Sequence, residues 1–311
     1  MELSWLMKLR IAAAAAAGVI LIGFLAWPLV APPGPFGTVS VVTGAMSFGG
    51  AITLAGLAFL AGLLAYFLSW PYGREIGVLA VPAGLTIWAV RSGNMASLIQ
   101  SRATLAGQQQ QQIMATIARR QDLFAALKWE PLFWLAIVSA GFAGVLVGQK
   151  ICSKPEPDET EKKANSKANI YLNAAIALVG SGLIAQFCIG ILAQDVRIFD
   201  NKLGSVVAQP TVGQIVFAVF VSFGLAAFVV KRFLDAGYIW PIIAGALVTG
   251  FTITTYVKQD ILQYLVQHQP AAFFPNAVIS ILPVQMVAFG ALGSIAGYWM
   301  AVRCNYSRKH G

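Results

Sequence analysis

Apolar residues run almost without a break through eight stretches of this chain: 11–31, 47–69, 75–91, 131–149, 170–193, 212–230, 237–257 and 279–301. No Asp, Glu, Lys, Arg or His sits in the middle of any of them. A hydrocarbon core about 30 Å thick is crossed by about 20 helical residues. The stretches have that length. They also lack the strict alternation over about 10 residues that marks a strand of a membrane barrel. The pattern predicts an all-α, polytopic integral membrane protein with eight transmembrane helices. The third stretch is the shortest and contains Pro82. A proline removes a backbone donor, so a kink is expected there.

Composition points the same way. Hydrophobic residues make up 58% of the chain and charged residues 11%, where a soluble domain carries about 25% charged residues. So little charge cannot clothe a soluble surface, and lipid has to cover much of it. The net charge of +9 does not imply nucleic acid, because the cations flank apolar stretches rather than forming a basic patch. With the N-terminus inside, 13 of the 21 Lys and Arg residues fall on the inner side. The short outer loops are then poor in cations, as the positive-inside rule requires. The expected location is the plasma (inner) membrane, with both termini cytoplasmic. Lys8, Arg10 and the run Ala12–Ala17 look like the start of a signal peptide, but the apolar stretch continues to Val30. A retained first helix is expected instead. Trp27, Trp88, Trp129 and Trp134 fall near the outer boundary, and Trp70, Tyr72, Tyr171, Tyr238, Trp240, Trp299 and Tyr306 near the inner one. These positions predict interfacial anchors.

The fourth and eighth stretches correspond. Pro131, Ala136, Gly141 and Cys152 match Pro283, Ala288, Gly293 and Cys304, each pair 152 positions apart. This predicts two tandem four-helix copies, 1–152 and 170–311, in parallel orientation. Segment 153–169 mixes both signs of charge and reads as a charged cytoplasmic linker. The first copy carries a long outer arm at 92–130, and the second a shorter one at 258–277.

Three features could carry function. Gly144 and Gly148 in helix four, and Gly293 and Gly297 in helix eight, form small-residue ridges. Such ridges let helix backbones approach closely where lipid offers no hydrophobic drive. The ridges predict that helices four and eight pack on each other or on a partner. In the long arm, Ile113, Ile117, Phe124 and Leu127 recur at helical spacing after five consecutive glutamines, Gln108 to Gln112. They predict an amphipathic helix, either an interfacial one that covers the bundle's outer rim or an arm that docks a partner or gates. Thr249, Thr252 and Gln285 are polar residues within apolar stretches. They predict either bonds between helices or a polar pathway.

The chemistry is otherwise sparse. All twelve acidic residues lie in loops or at helix ends, and the two histidines, His268 and His310, stand outside the apolar stretches. A proton-coupled carrier needs a titratable group at membrane depth. No HExxH or GxxxxGK[ST] motif is present, and three cysteines with no CxxC define no metal site or disulfide frame. No catalytic residue, cofactor or metal ligand is predicted. Two functions fit. One is a non-catalytic membrane subunit or scaffold of a larger assembly, docking other membrane subunits through its outer arm and glycine-rich faces. The other is a permease-like transporter of a neutral or lipidic solute, partnered with a separate ATPase.

Overall fold

In lipid a backbone has to bond to itself, and each apolar stretch does so as a helix. The computed structural model describes residues 4–32, 37–43, 46–100, 109–152, 167–269 and 273–310. Most of the charged linker (153–166), the part of the long arm at 101–108 and residues 270–272 lie outside the described residues. Among the described residues, eight helices are long and apolar enough to cross a membrane. The chain is an all-α polytopic membrane protein.

The first span begins as α1 (Trp5–Gly18), capped by the Ser4 hydroxyl, and continues as a wider π-turn over Val19–Leu25. Helix α2 (Phe48–Leu68) starts at Ser47, whose Oγ accepts the Gly50 N–H at 3.0 Å. The third span is built from α3 (Gly73–Ile76), a tight 3₁₀ turn at Gly77–Leu79, and α4 (Ala80–Arg91). Pro82 therefore sits in the first turn of α4, where a backbone N–H has no helical partner in any case. The regular helix of the span is interrupted at the 3₁₀ turn before the proline. The arm forms α5 (Met95–Gln100) and α6 (Gln109–Leu127), and then α7 (Glu130–Cys152) spans. The second half runs α8 (Lys167–Leu192), a hairpin of β1 (Arg197–Asp200) and β2 (Gly204–Ala208), then α9 (Val212–Leu234) and α10 (Ile239–Tyr256). It ends with α11 (Gln259–His268), β3 (Phe273–Phe274) and α12 (Pro283–His310). The three strands form one antiparallel sheet in the order β1-β2-β3. Gly204 turns the hairpin with φ +73°, a conformation that favours glycine.

Two helix pairs dominate the packing: α2 lies along α7, and α9 lies along α12. Both pairs are close because glycine removes the side chain at the contact. A Cβ on Gly62 would stand 1.9 Å from the Gly141 carbonyl oxygen, and one on Gly144 2.0 Å from that of Phe59. Across the other pair, a Cβ on Gly297 would stand 1.9 Å from the Gly224 carbonyl oxygen, and one on Gly293 2.3 Å from that of Phe220. The ridges of α7 and α12 are thus spent on α2 and α9, not on each other. The halves meet where α12 lies against α4 and where α7 touches α10 and α12. Gln285 joins them: its Nε2 donates to the Ala89 carbonyl of α4 at 3.1 Å, and its Oε1 accepts the Leu282 N–H at 3.1 Å.

At one end of the bundle the connecting segments form a cap. Helix α6 packs on α10, α11 and the 3₁₀ turn Val41–Thr43, and β2 pairs with β3. Gln209 locks the two halves of the cap, accepting the Ala96 N–H at 3.0 Å and donating to the Ser280 carbonyl at 3.0 Å.

Candidate functional site

The sequence-derived candidates fall in three places. The glycines Gly144, Gly148, Gly293 and Gly297 are interior, and Gly148 receives the Tyr66 ring 2.7 Å from where its Cβ would be. In the arm, Ile117, Phe124 and Leu127 are buried, and the Phe124 ring meets that of Tyr256 edge-on at 4.5 Å. The apolar face of α6 is therefore covered by α10 and α11 of the same chain, and it is not open to a membrane surface or to another subunit. The side chain of Ile113 lies outside the described residues. The arm's open side carries Met114, with Trp129 exposed at the turn that follows it.

The polar strip is closed as well. Thr249 Oγ1 donates to the Gly245 carbonyl at 2.8 Å, and Thr252 Oγ1 to that of Val248 at 2.6 Å. Ser294 does the same to Gly290 at 2.7 Å. Hydroxyls bonded to their own helix offer a passing solute little, and the Gln285 amide is taken up in joining α4 to α12.

Under the cap sits a carboxylate that its loop position in the sequence concealed. Glu130, the first residue of α7, is 3% exposed. Its Oε2 accepts the Ser40 hydroxyl at 2.6 Å and its Oε1 the Trp134 Nε1–H at 2.9 Å. The N–H groups of Val41 and Val42 also point to it. Every one of these partners is a donor, so the arrangement suits an acceptor-only group. Trp134 in turn meets Trp88 edge-on at 6.1 Å, and Trp88 Nε1 donates to the Gly23 carbonyl of the π-turn at 3.1 Å. Trp88 and Trp134 are fully buried. They are core residues with satisfied N–H groups, a correction to the expectation of interfacial anchors. By contrast Trp70, Tyr72, Trp129, Tyr171 and Tyr306 are exposed. Because Glu130 is enclosed and saturated, it clamps loop 37–43 onto α7 and has no open coordination for a substrate.

Among the described residues, the buried hydroxyls of Ser181 and Ser222 have no hydrogen-bond partner, and one longer polar side chain at membrane depth faces outward. Between α8 and α10 runs an apolar groove of about 300 Å³, open on one side and lined by Val179, Leu183 and Gln186 of α8 and by Leu247, Phe251 and Thr252 of α10. Leu183 and Phe251 are 63% and 73% exposed. Gln186 is exposed too, and no hydrogen bond joins its amide to a described residue. The sequence showed a glutamine in an apolar helix but not which way it faced. Among the described residues, no three of His, Cys, Asp and Glu come together as a metal-binding group.

What these features define is a multi-pass helical membrane protein that closes most of its polar groups on itself. Comparison with family models, curated proteins and solved structures found no match.

Proposed function

We propose that this chain is a non-catalytic membrane subunit that holds another polypeptide within the bilayer. One observation carries the reading: α8 presents an apolar face to lipid with the unsatisfied amide of Gln186 in it. Polar groups in hydrocarbon normally face other helices and bond to them. Gln285 follows that rule inside the chain by bonding to α4, and the threonines and Ser294 bond to their own helices; the outward amide of Gln186 points to a partner outside it. The outer arm and the glycine ridges, taken up within the fold, leave α8 as the docking face.

The setting of this face rests on two further proposals. The chain is two four-helix copies: Gly62 of α2 faces the Gly141 carbonyl of α7 as Gly224 of α9 faces the Gly293 carbonyl of α12. The copies sit in the plasma (inner) membrane with the cap outside and both termini in the cytoplasm, as the Lys and Arg distribution favours.

A second reading, a permease for a neutral or lipidic solute, draws on the same groove, whose apolar walls suit an acyl or isoprenoid chain. A photoreactive residue at Leu183, in the intact protein in its own membrane, separates the two. The subunit reading expects polypeptide adducts at Leu183 and none at Leu64, a lipid-facing position on α2. Adducts only with small apolar molecules would support the permease, and no polypeptide adduct at Leu183 would overturn the subunit reading.

A further inference from the structure

The exposed face of α8 has a definite period. Leu172, Ile176, Val179, Leu183, Gln186 and Gly190 follow one another at intervals of four, three, four, three and four residues. Such spacing, about 3.5 residues per turn, places them in one stripe along the helix, as in the seam of a coiled coil. The first five are exposed and Gly190 is half-buried. Among the described residues, nothing covers the stripe beyond the flank of α10 at the groove.

Gln186 interrupts this seam with a polar group. It lies six residues before Leu192, the last residue of α8, and so about 9 Å below the helix end at about 1.5 Å per residue. Its side chain is too short to reach the headgroups from that depth. One polar residue in an otherwise apolar seam sets register and partner number. An amide both donates and accepts, so two glutamines related by a two-fold axis satisfy each other with a reciprocal pair of hydrogen bonds. A second copy brings this complement by symmetry. One turn further along, Gly190 clears the way for close approach: a Cβ there would meet nothing within 4 Å.

We infer that α8 packs in parallel against α8 of a second copy, with the two Gln186 amides bonded across a two-fold axis normal to the membrane. Leu247 and Phe251 of α10 flank the partner's helix. This inference rests on the reading that the chain docks a polypeptide in the bilayer, and it names that polypeptide as the chain itself.

The test uses full-length protein in native membranes, with Cys152, Cys188 and Cys304 replaced by alanine. Gly190→Cys should form a disulfide-linked species of twice the chain mass on mild oxidation, and Leu64→Cys should not. In nanodiscs, single-molecule photobleaching should show two-step traces, and Gln186→Leu should weaken dimerisation about tenfold, in line with the worth of hydrogen bonds between membrane helices. Gln186→Asn should retain part of the association. Position 186 is exposed, so the melting temperature of the monomer of either Gln186 variant should stay at the parent value. A dimer insensitive to Gln186→Leu would overturn the inference. Polypeptide adducts at Leu183 of other masses, without the doubled species at Gly190→Cys, would overturn the second copy but leave the subunit reading standing. The absence of any polypeptide adduct would overturn both.

Discussion

Gly297→Ala adds a single methyl group in the middle of an apolar helix. Helix propensity alone favours it, by about 1 kcal/mol. The structure reverses the sign. The new Cβ would stand 1.9 Å from the Gly224 carbonyl oxygen, 2.7 Å from its carbon and 2.9 Å from its Cα. All three are backbone atoms, so no side chain can swing aside, and α12 must move away from α9 by more than 1 Å to restore about 3.5 Å of separation. That shift loosens the contacts of the whole pair, and overpacking of this kind costs about 1–3 kcal/mol. A backbone obstacle places the overpacking near the upper end, and the propensity gain offsets about 1 kcal/mol of it, for a net loss of about 2 kcal/mol. At about 2–4 °C per kcal/mol for chains somewhat shorter than this one, the melting temperature should fall by about 4–8 °C. Gly62→Ala, whose Cβ meets the Gly141 carbonyl oxygen at 1.9 Å, should behave alike. Gly56→Ala is the control. It sits on α2, and its Cβ would meet nothing within 4 Å, so it should leave stability unchanged or slightly raised. Thermal unfolding of the purified protein in mild detergent, followed by far-UV circular dichroism, reads all three. If Gly297→Ala melted with the parent protein, as the Gly56→Ala control should, the close α9–α12 contact would be refuted.

Two further outcomes follow from the cap. Glu130→Ala leaves the Ser40 hydroxyl, the Trp134 N–H and the Val41 amide without their acceptor, while the Val42 amide keeps Ser40 Oγ at 3.3 Å. At about 1–3 kcal/mol for each buried donor left open, with the loop free to relax, the loss should be about 3 kcal/mol, and about half that for Glu130→Gln, which keeps one acceptor oxygen. An alanine variant as stable as the parent in the same melt would refute the clamp. Asp200 tethers the hairpin to α11: its Oδ1 accepts the Leu203 and Lys202 N–H groups at 2.8 and 2.9 Å, and its Oδ2 accepts the Tyr264 hydroxyl at 3.0 Å and the Gln269 amide at 3.3 Å. These bonds, led by that from Leu203, hold its carboxyl below its ordinary 3.8. A depressed carboxylate stabilises above the ordinary value, and the effect is lost as pH falls through the folded one. Protection of Arg197–Ala208 against hydrogen exchange, relative to the intrinsic rate at each pH, should therefore be unchanged from neutrality down to about pH 4 and fall below pH 3.8. Asp200→Asn should show the reduced protection already at neutral pH, and equal protection in both proteins throughout would refute the tether.

The sequence by itself determined the class of fold. In lipid the backbone has one economical conformation, and the length and continuity of the apolar stretches suffice to announce it. The outer arms were legible for a similar reason: Gln259–His268 and the helix after the glutamine run show helical periodicity locally. What the sequence left open was direction. Gly144 and Gly293 announce a close helix contact, but a glycine has no side chain to say against what; only the packing assigns them to Phe59 and Phe220. Trp88 and Trp134 stand near a boundary in sequence and in the core in space, because Gly23 and Glu130, 65 and 4 positions away, satisfy their N–H groups. Ile117, Phe124 and Leu127 form an apolar stripe whichever surface covers it, and the fold supplied that surface from α10 and α11. In lipid both faces of a helix are apolar, so the hydrophobic pattern that orients a helix in water falls silent. Only the tertiary structure shows that Thr249, Thr252 and Gln285 face inward with their bonds made, while Gln186 faces out with its own unmade.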